Sequence, residues 1–471
     1  MKFFQSFEKF MRKLFPSTFT IAIFLTIITF ILALILTEPV NLETSSKPVH
    51  REISFDPLSN SDIHIFQITA FWYNGLWNTA LLAFAVQMML ILVLGYVLAS
   101  TKPFQLLIEK VLVFCNSTPK SVFLVTLLTL LVSFFNWGLG LIFGAIFAKK
   151  VGEYACKQKT PLNYPLIVAA GYSGLMVWHG GISGSAPLKA AESGHFMALV
   201  GQNLPPVDFS QTIFSLMNIV IAAVLLVVLP LALYLLGKKN PGISIPIFSS
   251  SSEIGSNGKS EEISGAERID HFKWSGIVLG SVFILIATLK GAETGNLSVI
   301  DPNYLNFLLL GLGLILSGSI ARFLKLVKNA MGAAAGILIQ FPLYFGIMGI
   351  MKYSGLVEIF SDFLMNISNE TTFPLYTFLS AGLINIFVPS GGGQWAVQGP
   401  IIVEAAQNLN IPLGKAIMAL AYGDQITNML QPFWALPLLG ITGLKAKDII
   451  PYTLFLMTIG TIIFVTGLLL F

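Results

Sequence analysis

Polar residues are sparse and clustered along this chain, and the gaps between clusters are apolar runs of bilayer length. "TFTIAIFLTIITFILALIL" (18–36) and "IFSLMNIVIAAVLLVVLPLALYLL" (213–236) each reach the roughly 20 residues that a helix needs to span a membrane. The pattern predicts nine spans, at about 18–36, 77–99, 162–190, 211–236, 274–290, 303–320, 331–350, 411–440 and 451–470. The first run is too long for a signal-peptide core and lacks a small-residue cleavage site, so it reads as a retained span. Two further apolar stretches, 121–148 and 373–406, are interrupted near their middles by "FFNWGLGL" (134–141) and "VPSGGGQW" (388–395). A lipid-facing helix does not tolerate such interruptions, because unpaired backbone groups in hydrocarbon cost several kcal/mol each.

The distribution of basic residues decides how those two stretches fold. A single crossing by 121–148 would put Lys120 and the cluster Lys149, Lys150, Lys157 and Lys159 on opposite sides of the membrane. A re-entrant hairpin keeps both ends in the cytoplasm, as the positive-inside rule requires. The same treatment of 373–406 leaves its ends outside, near Glu370 and Glu404. With the N-terminus inside, only Lys47, Arg51, Lys189, Lys290, Lys352 and Lys415 of the 27 basic residues then lie outside. Cys115 and Cys156 both fall on the cytoplasmic side, where a thiol reagent is expected to reach them. The Ser/Gly-rich, charged stretch 244–270 reads as a flexible cytoplasmic linker between two halves. The expected organisation is a leading span and external segment (1–76), a first repeat (77–239), the linker (240–273), two connecting spans (274–330) and a second repeat (331–471).

Composition agrees. Of 471 residues 55% are hydrophobic and 11% charged, against about a quarter charged in soluble domains, and mean hydropathy is +0.79. The net charge of +4 gives no reason to expect a nucleic-acid partner. Two cysteines and five scattered histidines offer neither a disulfide framework nor a metal-ligand cluster.

The halves also resemble each other. Each runs span, hairpin, glycine-broken span, plain span. Gln87, the tip residue Asn136 and the broken span "GYSGLMVWHGGISGSAP" (171–187) correspond to Gln340, Ser390 and "YGDQITNMLQP" (422–432). One half begins outside and the other inside, so the repeats are inverted. The expected fold is an all-α polytopic membrane protein with an inverted-topology repeat, two re-entrant hairpins and two broken transmembrane helices. That arrangement marks the central site of a secondary transporter. Two tips entering from opposite faces would meet near the midplane, where helix N-termini favour an anion and carbonyl, Ser and Asn oxygens can hold a small cation.

The candidate site therefore comprises Asn136, Gly138 and Gly140 at the first tip, and Ser390, Gly391, Gly392, Gly393 and Gln394 at the second. His179, Ser183 and Ser185 join it from the first broken span, Asp424, Thr427 and Asn428 from the second, with Gln87 and Gln340 mid-span. Asn136, Ser390 and Asn428 are the candidate Na+ ligands. Asp424 is the sole acid placed within a span, where an uncompensated charge costs about 2.5–3.5 kcal/mol or more. It could bind sodium, carry a proton, or serve as a buried partner of Asn428, Gln431 or His179. Plainer roles compete elsewhere too: Asn136 can cross-link helices, and His179 can cap a helix end. The two glutamines can satisfy backbone freed by Pro342, and Trp178, Trp395 and Trp434 can be packing or pocket wall.

At these residues the chain resembles the short-chain fatty acid transporter family, of the bacterial acetoacetate/butyrate uptake type. The resemblance rests on "NWGLGLIFGAIFAKKV" (136–151), "GGISGSAPL" (180–188), "GILIQFPLYFGI" (336–347), "INIFVPSGGGQWAVQGP" (384–400) and "QITNMLQPFWALPLL" (425–439). It covers nearly the full length, with 37–76 and 240–272 matching least. It implies uptake of short-chain monocarboxylates across the bacterial inner membrane, within a superfamily of two-hairpin transporters. His179 stands where that pattern commonly has glycine, and Asp424 where a glutamate can stand.

The residues alone give a cation-coupled transporter of a small anion, driven by Na+ or H+, with no other cofactor expected. Sodium is preferred because the tip niches are duplicated and Asp424 is not. A dicarboxylate substrate and a passive anion channel are the alternatives. Ser183, Ser185 and His179 lack an orienting acid or hydrolase motif, so no catalytic residue is expected. No Walker-type "GxxxxGK[ST]" supports ATP-driven transport. Lipid surrounds the chain, and a homodimer is left open.

Overall fold

The computed structural model describes residues 16–40, 61–242, 265–294 and 301–471, and among them it is helical with no strand. Seven helices are long and apolar enough to cross a membrane: Thr18–Leu36, His64–Ala99, Thr118–Phe135, Leu216–Lys239, Ser275–Glu293, Ile320–Tyr353 and Ala446–Leu470. The protein is an all-α polytopic membrane protein. Residues 243–264 of the linker and 41–60 of the external segment lie outside the described residues.

Several boundaries differ from the hydropathy pattern, each for a local reason. The helix expected at 331–350 begins at Ile320, because Gly318 turns at φ 80° and the Ser319 side chain caps Arg322 N–H. Arg322, Lys325 and Lys328 therefore ride on this helix, and the boundary drawn at 330 falls inside it. The external segment ends in a helix, His64–Leu76, which leads into Thr79–Ala99 through Asn78. Gln67, Asn74 and Gly75 interrupt its apolar run and hide it. Two amphipathic helices, Lys102–Leu112 and Leu356–Asn366, are too short to span.

Both interrupted stretches form helical hairpins. Thr118–Phe135 reverses at Asn136, whose backbone is extended (φ −150°, ψ 126°), into Trp137–Lys157. Phe373–Phe387 reverses through Val388–Ser390 into Gly391–Asn408. Each turning residue caps the arm it starts: Asn136 Oδ1 accepts from Leu139 N–H at 3.0 Å, and Ser390 Oγ accepts from Gly393 N–H at 3.2 Å. Such caps satisfy one of the donors that a helix start leaves unpaired. At the first tip Gly140 lies so close to Ser133 that a side chain has no room.

Both broken helices are also present. Tyr164–Tyr172 passes through a 3₁₀ turn, Ser173–Met176, and an irregular run before Ser185–Ala190 resumes. Leu413–Thr427 stops, and Pro432 starts the second piece, Pro432–Thr442, where its missing N–H costs nothing. Within each half a glycine brings hairpin and broken helix backbone to backbone, Gly144 on Gly171 and Gly423 on the Phe378 carbonyl. Plain helices Leu216–Lys239 and Ala446–Leu470 follow their broken helices and pack on each other.

Candidate functional site

The irregular run 177–184 stands between the two hairpin tips. Trp137, the first residue of the first tip's helix, donates its N–H to Ser183 Oγ at 3.0 Å, and Ile182 N–H reaches Phe134 O at 2.9 Å. The Trp178 ring meets Trp137 edge-on, with centroids 6.0 Å apart, and stacks on His179 at 4.3 Å. The second tip arrives from the other side. A Cβ on Gly391 would lie 2.8 Å from both His179 Cε1 and Trp178 Cη2, so only glycine lets this backbone reach the rings. Gly392 is different: a Cβ there would find only Ser185 Cβ, at 3.9 Å, and the residue is exposed.

His179 ties the two broken helices together. Its Nε2 accepts from Ala186 N–H at 3.1 Å, so the neutral ring carries its proton on Nδ1 and donates it to Asp424 Oδ2 at 2.6 Å. Its backbone N–H donates to Gln425 Oε1 at 3.0 Å. Both side chains of the pair are buried, and Asp424 Oδ1 has no hydrogen-bond partner. Of the roles open to Asp424 in the sequence, partnership with His179 is the one its geometry displays.

A polar network extends from there to the second hairpin. Asn385 Nδ2 lies 2.7 Å from Asp424 O, 2.9 Å from Thr427 Oγ1 and 2.8 Å from Asn428 Oδ1. An amide nitrogen has two hydrogens, so three close oxygens exceed what it can serve. Gln431 Nε2 ties back to Asn385 O and Ile386 O, while Tyr172 O–H donates to Asn428 O. Gln394 Nε2 donates to Ala381 O and Gln398 Oε1. Buried and unpaired in this network are Asn385 Oδ1, Gln394 Oε1, Asn428 Nδ2 and Gln431 Oε1. Among the described residues no cluster of His, Cys, Asp and Glu could hold a metal ion.

The model matching the whole chain, residues 2–471, is that of the short chain fatty acid transporters. This chain belongs to the short-chain fatty acid transporter family. It is 35% identical over 466 residues to a protein of Escherichia coli (strain K12), covering 98% of each. It is 34% identical over 471 residues to one of Haemophilus influenzae (strain ATCC 51907 / DSM 11121 / KW20 / Rd), covering 98% of this chain and 97% of that protein. Both carry names that assign them provisionally to short-chain fatty acid transport. Among solved structures, the YdaH transporter of Alcanivorax borkumensis aligns with 97% of each chain at 13% identity and a TM-score of 0.43. MtrF of Neisseria gonorrhoeae aligns at 17% identity and the same TM-score, covering 98% of this chain and 97% of that one. Likeness of that degree does not decide a fold.

In this family member the candidate residues are not gathered equally. Ser183, Ser185, His179, Gly391 and Asp424 converge on the irregular run, and Thr427 and Asn428 join Asp424 through Asn385. Gln87 lies on the helix face between Phe84 and Ile91, which approach Trp137 and Gly138. Its amide, however, is donated to Asn303 Oδ1 at 2.8 Å, and its backbone carbonyl accepts from Asn306. Gln340 keeps a buried, unpaired Oε1. Trp434 belongs to an aromatic wall around the first tip, 5.0 Å from Trp137 and backed by Phe433 and Phe341. Trp395, one turn along the helix from Gly391, is buried and donates to His195 Nε2 at 2.9 Å. The sequence reading passed over Asn385 and Gln425. Asn385 sits within the "INIFVPS" stretch, and its signal is a lone amide in an otherwise apolar hairpin arm.

Proposed function

We propose that the protein is a secondary active transporter that takes up short-chain monocarboxylates of the acetoacetate/butyrate class together with a cation. In this reading it lies in a bacterial inner membrane with a cytoplasmic N-terminus, and both hairpins are re-entrant. The observation that carries the proposal is that two helices, Trp137–Lys157 and Gly391–Asn408, begin at one irregular run, 177–184. Helix starts carry unpaired N–H groups and positive dipole ends, which suit a carboxylate. Family membership and the names of the two relatives support the substrate class.

Sodium is the coupling ion we favour. The three oxygens crowding Asn385 Nδ2 would become four if that amide turned over and presented Oδ1, and such oxygens suit a hard cation. Asn136 Oδ1 and Ser390 Oγ already accept a helix N–H each, so Asn428 is the strongest of the three expected ligands. A monoanion entering against an interior-negative potential is opposed by about 2.3 kcal/mol per 100 mV. One cation cancels that cost, and a second lets the potential drive accumulation.

Purified protein in vesicles tests this. Under a sodium gradient at fixed pH, butyrate should accumulate above equilibrium, and Asn385→Ala and Asp424→Asn should each raise the sodium concentration required. Equilibration without accumulation would make the protein a channel. Uptake that ignores sodium, follows an inward proton gradient and is lost in Asp424→Asn would make Asp424 a proton carrier. A counterflow panel of C2–C6 mono- and dicarboxylates fixes the preferred acid.

A further inference from the structure

A cavity of about 470 Å³ opens beside the second hairpin, with neither His179 nor Gly391 in its lining. Its size falls in the ordinary range of small-ligand pockets. The mouth is formed by Asn78 and the exposed Thr79, where Thr79–Ala99 starts. Lys352, half-buried at the end of Ile320–Tyr353, lines the wall with its ammonium 5.5 Å above the Tyr353 ring. The floor is Val388 and Gly393 of the hairpin tip, with Met348 beside Gly393. The cavity thus joins a lysine and a helix N-terminus at one end to the tip at the other, through a largely apolar interior.

From this juxtaposition we infer that the cavity is the outer vestibule for substrate, and that Lys352 draws in the carboxylate while Met348 and Val388 accommodate the short alkyl chain. The inference rests on the transport reading above, in whose orientation the mouth faces outside. A cation and a helix start at the mouth hold the anionic head. The apolar interior favours a short aliphatic acid over a dicarboxylate, whose second charge would have no partner there. As a capture residue outside the central site, Lys352 acts on substrate affinity and on-rate more than on the translocation step.

The experiment uses full-length protein in vesicles. Lys352→Gln should raise the KM for butyrate roughly five-fold or more with maximal uptake retained, and Lys352→Arg should restore most of the affinity. Separately, Thr79→Cys in a Cys156→Ser background should react with an external sulfonate-bearing thiol reagent, and excess butyrate should slow the reaction. An unchanged KM in Lys352→Gln, or labelling indifferent to butyrate, overturns the vestibule. Wild-type protein that moves no carboxylate at all overturns the transport reading instead.

Discussion

Replacing Gly391 by alanine puts a Cβ 2.8 Å from His179 Cε1, 2.8 Å from Trp178 Cη2 and 3.3 Å from His179 Nδ1. Carbon pairs are most comfortable at roughly 3.5–4.0 Å, so two ring atoms are overlapped by about 0.7 Å or more. His179 cannot swing aside cheaply, since Asp424, Gln425 and Ala186 all hold it. Overpacking of this kind costs about 1–3 kcal/mol, which as a shift between working and non-working states is roughly 5- to 150-fold. Butyrate uptake by Gly391→Ala should fall within that range, with a lowered thermal midpoint in detergent. Gly392→Ala should behave like wild type, because its Cβ meets only Ser185 Cβ at 3.9 Å. The bulkier Gly392→Val should block uptake at normal protein level by filling that open space. Equal tolerance of alanine at 391 and 392 would refute the close contact between the tip and the Trp178 and His179 rings.

Two further outcomes are expected. Cys156 is exposed whereas Cys115 is buried, with burial pushing its thiol up to about 12; the expectation that both are reachable from the cytoplasm is corrected accordingly. An impermeant maleimide should label Cys156 alone in inverted vesicles and neither cysteine in intact cells, and labelling of Cys156 from outside would mean that the first hairpin crosses the membrane. His195 lies below its ordinary value of 6.5, chiefly through burial, with Glu192 opposing and Lys189 adding to the shift. Its neutral Nε2 accepts from Trp395, so this contribution is fully present above about pH 6.5 and is lost as the pH falls below that, through the lowered folded-state value. Melting in detergent at pH 7.5 and 5.5 should show acid destabilisation that shrinks in His195→Gln.

The hairpins and breaks were legible because their signals are local. "VPSGGGQW" and "FFNWGLGL" announce backbone that cannot face lipid, and Pro432 marks a helix restart wherever it stands. The contacts that make a candidate site of them are not local. His179 and Asp424 are 245 residues apart, and nothing in either neighbourhood names the other. Gln87 shows the opposite failure: its mid-span position and repeat spacing resemble those of Gln340, yet Asn303 takes its amide. The helix His64–Leu76 was hidden because Gln67, Asn74 and Gly75 are polar or small. Their reasons lie elsewhere in the chain: Gln67 brackets the Val40 backbone, and Gly75 meets Gly349.

That last meeting bears on how the chain is made. Gly75 and Gly349 press backbone to backbone, and Trp72 occupies the space over Gly346, although about 270 residues are synthesised between the two partners. Helix His64–Leu76 leaves the ribosome with its docking surface still untranslated. Helices inserted into a bilayer associate afterwards through small residues of this kind, so this one must wait at the membrane until Ile320–Tyr353 is inserted. A nascent chain stopped before residue 320 would carry an undocked helix, open to proteolysis between 61 and 76, and one stopped beyond 353 would protect it.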